Sequence, residues 1–65
     1  MRNLIKKIEN MYLEQGLTKQ ETINSVAKDL LLTYDESERL LKGEFKIDNE
    51  LIVQLRKVYG NKITL

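Results

Sequence analysis

Apolar residues recur along this chain at helical spacing, in four blocks separated by short polar breaks. In the first block, Leu4, Ile5, Ile8, Met11 and Tyr12 follow one another at the intervals of a helix with a single buried stripe. Ile23, Val26, Ala27, Leu30 and Leu31 repeat that pattern in the second block. The third block is shorter and turns Leu40 and Leu41 inward, while the fourth carries Leu51, Ile52, Leu55, Val58 and Tyr59 on one face. The pattern predicts helices over about 3–15, 18–31, 33–42 and 48–59, with a tail at 61–65. Ile8, Met11, Val26, Ala27, Leu30, Leu40, Leu51, Leu55 and Val58 are the expected core.

The breaks carry their own signals. Thr18-Lys19-Gln20-Glu21 and Thr33-Tyr34-Asp35-Glu36 each place a threonine three residues before a glutamate, the two ends of a capping box. Thr18 and Thr33 are therefore expected N-caps, and Asp48 is a third. Gly16 suits a left-handed residue closing the first helix, Gly43 stops the third and Gly60 closes the fourth. Ile47, in the connection before the fourth helix, is expected to plug the core. In the tail, Ile63 and Leu65 alternate with polar residues, which suits either a frayed end or a small strand pairing in a dimer. Leu31 and Leu32 leave very little chain to turn from the second helix into the third. Two short helices joined so tightly read as a helix-turn-helix, whose second helix can enter a DNA major groove.

Composition narrows the class further. At 65 residues the chain makes one domain, spanning 1–65, with a core so small that close helix packing or self-association must support it. The absence of Cys removes disulfides, thiolate metal sites and thiol nucleophiles, and the absence of His removes the commonest metal ligand and general base. No cofactor is expected and catalysis is set aside. Residues 4–8 are too short and too interrupted by lysine for a signal-peptide core, and no apolar run approaches the roughly 20 residues of a membrane span. A cytoplasmic protein without a membrane partner is the default expectation. The net charge of +1 divides into +1 over 1–16, 0 over 17–32, −1 over 33–43 and +1 over 44–65. No segment concentrates the positive charge of a strong phosphate binder, so DNA binding by a monomer should be weak.

From Thr22 onward the chain resembles the lambda-repressor-like DNA-binding domains, the XRE family, and within it the HigA-type antitoxins most. The resemblance rests on Thr22, Val26-Ala27, Leu30-Leu31-Leu32-Thr33 and Leu40-Leu41-Lys42-Gly43. It continues through Gly43-Glu44-Phe45-Lys46-Ile47-Asp48-Asn49-Glu50 and ends at Leu55-Arg56-Lys57-Val58-Tyr59-Gly60. It implies a small all-α helix-turn-helix bundle of four or at most five helices, acting as a dimer on operator DNA. Three departures accompany it. Leu31 stands where the family has a turn glycine, Ser37 stands where it has an apolar residue, and the Thr18 cap begins the second helix about one turn early.

If the third helix enters the major groove, Thr33, Tyr34, Asp35, Glu38 and Arg39 meet bases or phosphates, with Arg39 suited to guanine and an acid to the cytosine amino group. Lys42 and Lys46 then bind phosphate at the far end of the helix. The same charges also suit a plain solvated helix, because Asp35–Arg39 and Glu38–Lys42 are i, i+4 pairs with the acid first. A third reading keeps the scaffold but turns it on a protein, as an antirepressor, antitoxin or phage-type inhibitor does. The expected partners are thus double-stranded DNA or a protein, together with a weakly associating second copy. Tyr12 and Tyr59 lie on core stripes and pack inward, whereas Tyr34 opens the third helix and is exposed. The carboxylates Asp35, Glu36 and Glu38 lack the loop geometry of a metal site.

Overall fold

A computed structural model of the chain describes residues 2–63. Leu65, and with it the alternation expected in the tail, lies outside the described residues. Four helices follow in order: α1 (Arg2–Glu14), α2 (Lys19–Leu30), α3 (Tyr34–Lys42) and α4 (Asn49–Tyr59). There is no strand among the described residues. The observed helix bounds fall within one residue of the expected ones. α2 is the hub: it packs on each of the other three helices, and its interface with α3 is the most extensive.

Both capping boxes form. The Thr18 hydroxyl oxygen accepts from the Glu21 N–H at 3.1 Å, while the Glu21 carboxylate accepts from the Thr18 N–H at 2.8 Å. Those contacts hold the Glu21 carboxyl below its ordinary pKa, chiefly through the backbone hydrogen bond. Thr33 and Glu36 repeat the arrangement at 3.1 and 3.0 Å, and Asp48 caps α4 by accepting from the Leu51 N–H at 2.9 Å.

The helix ends follow one design at three places. Leu17 N–H reaches back to Tyr12 C=O, Leu32 N–H to Ala27 C=O and Glu44 N–H to Arg39 C=O, at 3.2, 2.8 and 2.8 Å. Each is a five-residue return across a left-handed residue, a Schellman ending. The left-handed residues are Gly16 (φ 92°), Leu31 (φ 56°) and Gly43 (φ 80°). Leucine thus occupies a backbone conformation for which the chain otherwise uses glycine, at a cost of roughly 1–2 kcal/mol relative to the right-handed form. Leu17 and Leu32, which follow two of these residues, fold back onto the core.

The core runs through Ile5, Ile8, Tyr12, Val26, Leu30, Leu40, Leu51, Leu55 and Tyr59. Met11 and Val58, both expected inside, are only half-buried. Their neighbours Tyr12 and Tyr59 take the buried positions, and Met11 and Val58 pack against the edge of the core. Ile47 is half-buried and packs against the core, as its place in the connection suggests. Two buried hydroxyls donate to main-chain carbonyls. Thr22 lies inside α2 and donates to Thr18 C=O at 2.9 Å. Ser37 is fully buried between helices and donates to Ile23 C=O at 2.8 Å, so a small polar residue lets α3 lie close on α2 with no hydrogen-bonding group left unsatisfied.

Candidate functional site

The α2–turn–α3 unit presents the residues that the sequence singles out. With Ser37 and Leu40 turned inward, α3 leaves Tyr34, Asp35, Arg39 and Lys42 exposed and Glu38 half-buried. These five share the solvent face of one helix. Thr33 lies at its start, but its hydroxyl oxygen is committed to the α3 cap. Lys46 is separated from the group: it borders a hollow with Leu32, Phe45, Asp48 and Val53, whereas Tyr34, Glu38 and Lys42 border a cleft of about 950 Å3 against α1 and the start of α2.

The charges on α3 are arranged in pairs. Arg39 Nη2 lies 3.1 Å from Asp35 Oδ2, and Lys42 Nζ lies 4.0 Å from Glu38 Oε2. Both cations of the helix therefore have an acid one turn before them, and the Glu36 carboxylate is taken up by the cap. The five residues of this face sum to zero net charge, so it is locally balanced rather than openly basic. Such exposed pairs add little to stability, about 0.3–0.5 kcal/mol each.

Beside this face is a feature that sequence reasoning missed. Leu31 is 90% exposed and Tyr34 is 40% exposed, and together with Asn24, Ser25, Ala27, Lys28 and Leu32 they line a hollow of about 630 Å3. Helical periodicity assigns Leu31 to the buried stripe of the second helix. The helix ends one residue earlier, and the left-handed turn rotates the side chain outward. The available signal was the shortness of the break before the Thr33 cap, which leaves Leu31 in the turn: a leucine at a left-handed position cannot continue the stripe.

A polar cluster, also missed, joins α2 to α1 and α4. The hydroxyls of Tyr12, from α1, and Tyr59, from α4, both donate to Asp29 Oδ2, the latter at 2.8 Å. The two rings meet edge to face, with centroids 6.4 Å apart and planes at 84°. Burial and the neighbouring Asp29 carboxylate push both phenols above their ordinary pKa, Tyr59 far above it. This cluster joins three helices and faces no cleft, which marks it as part of the scaffold. No group of side chains suited to a metal ion occurs among the described residues. No helix is long and apolar enough to cross a membrane.

Compared with known proteins, the chain matches no family model, no curated protein and no solved structure.

Proposed function

We propose that this chain is a small transcriptional regulator of the lambda-repressor-like helix-turn-helix type, acting as a dimer on operator DNA, with α3 as its reading helix. The observation that carries the reading is the α2–turn–α3 unit itself. Only Leu31, Leu32 and Thr33 separate the two helices, and the second is capped at both ends and turns Tyr34, Asp35, Glu38, Arg39 and Lys42 to solvent. A recognition helix needs this combination of rigid seating and a free outer face. The resemblance from Thr22 to Gly60 supports the same reading, as does the left-handed turn at the position where related domains carry glycine.

The balanced charge on α3 sets the expected behaviour. Affinity for arbitrary DNA should be modest and should fall as salt rises, since few phosphates are neutralised. Fluorescence anisotropy with duplexes selected from a random pool, at low and moderate salt, tests the reading. A selected duplex should bind at low salt and weaken with added salt, with the shallow slope that few phosphate contacts give, and Arg39→Ala should cost about 1–3 kcal/mol on that duplex if Arg39 reads a base.

One observation favours a second reading, in which the same scaffold docks on a protein. Leu31 is 90% exposed and held at a positive φ, so neither burial nor backbone preference accounts for leucine there. With Tyr34 beside it and Asn24, Ser25 and Lys28 around it, the patch has the apolar centre and polar rim of a protein interface. Failure to bind any duplex at low salt, genomic fragments included, transfers the assignment to this reading.

A further inference from the structure

We infer that Asp35 is a positioning residue for base readout: it holds the Arg39 guanidinium at the N-terminal end of α3, and so contributes selectivity to DNA binding while lowering general affinity. The inference rests on the DNA-binding reading above. Arg39 springs from the second turn of α3, yet its Nη2 lies 3.1 Å from Asp35 Oδ2, one turn back toward the start of the helix. In a helix-turn-helix the N-terminal residues of the second helix reach the base edges. The ion pair therefore draws the fork toward the end of the helix where bases are met, rather than leaving it to swing toward phosphates.

The chemistry of the fork allows it to serve both partners. A guanidinium carries five N–H donors in one plane. The pair takes one hydrogen of Nη2 and leaves the other, which still forms a two-donor edge with a neighbouring nitrogen for the O6 and N7 acceptors of guanine. The two side chains remain open to solvent, 49% for Arg39 and 74% for Asp35, so a base edge can approach the pair without displacing protein. Lys42 is the contrasting case. Its ammonium stands 4.0 Å from Glu38 and has no planar fork for the acid to orient. Holding a long side chain in one geometry before binding removes an ordering cost otherwise met on the DNA. The carboxylate also cancels the cation's long-range pull on phosphates, so removing it should act on affinity and selectivity in opposite directions.

The experiment is selection from a random duplex pool with the full chain, in parallel for wild type, Arg39→Ala, Asp35→Ala and Asp35→Asn, with circular dichroism to confirm unchanged helix content. The wild type should enrich a site with a guanine whose preference disappears in Arg39→Ala. Both Asp35 variants should then lose about 2–10-fold in discrimination at that guanine, while their binding to unselected duplex tightens and its salt dependence steepens. Asp35→Asn keeps the size of the side chain and removes the charge, which separates positioning from any effect on the first turn of α3. If wild type enriches a site and the Asp35 variants keep full discrimination at the Arg39-dependent guanine, the inference is overturned and the DNA reading stands. If wild type enriches no site, both fall.

Discussion

Asp29 and Asp35 sit on successive helices and each engages side chains that could otherwise point elsewhere, but their surroundings differ. Asp29 is half-buried and accepts the hydroxyls of Tyr12 and Tyr59, so its carboxylate joins α1, α2 and α4 in one cluster. Asp35 is open to water and pairs with a residue of its own helix. In the first place a carboxylate replaces water for two buried phenols, and losing it leaves polar groups with no partner. In the second, losing one partner strands nothing, because water solvates the other. The two carboxylates therefore differ in kind: Asp29 ties three helices of the bundle together, whereas Asp35 stays within the solvent face of α3.

Removing Asp29 should give the largest effect. Asp29→Ala strands two hydroxyls, one of them on the fully buried Tyr59, and each unsatisfied buried group costs about 1–3 kcal/mol. A loss of about 2–4 kcal/mol is expected in urea denaturation, a large share of the stability of so small a domain. A loss below about 0.5 kcal/mol would show that solvent reaches both phenols and would erase the contrast with Asp35.

Alkaline titration sharpens the same side of the comparison. The folded state raises the pKa of Tyr59 through burial first and the Asp29 contact second. A raised folded pKa contributes stability that is complete below the unfolded value, near 10 for tyrosine, and is lost as pH climbs above it, because the unfolded chain releases the proton and the folded chain keeps it. Stability should fall above about pH 10 with a slope approaching 1.4 kcal/mol per pH unit for each proton held. Tyr59→Phe, measured by denaturation at pH 9 and 11, should show a shallower decline than wild type.

Why one side was legible in the sequence and the other was not follows from the range of the signals. The caps at Thr18, Thr33 and Asp48 are local, decided within four residues, and so are the stripes that seat Ile8, Val26, Leu30, Leu40 and Leu55. The i, i+4 pairs on α3 are equally local, and both form. Asp29 is different. Its partners lie 17 and 30 residues away, and periodicity treats an acid beside a stripe as solvated. The signal was present in part: two stripes each end in a tyrosine, and a buried phenol needs an acceptor. The exposure of Leu31 escaped for another reason, since one residue's left-handed φ removes it from the register that predicts burial.

The smallest expected effect is on the other side of the comparison. Asp35→Ala removes one exposed i, i+4 pair and one carboxylate from the first turn of α3, where an acid favours the helix dipole. The pair is worth about 0.2–0.5 kcal/mol. Solvent and salt screen both contributions, so the change in folding free energy should stay within about 0.5 kcal/mol at moderate salt. The capping box that spans this position remains, because Thr33 and Glu36 bond each other without Asp35. Urea denaturation of Asp35→Ala at low and at moderate salt measures this, and any loss should shrink as salt is added. A salt-independent loss above about 1 kcal/mol would mean that Asp35 belongs to the scaffold as Asp29 does, and the contrast between the two carboxylates would then fail.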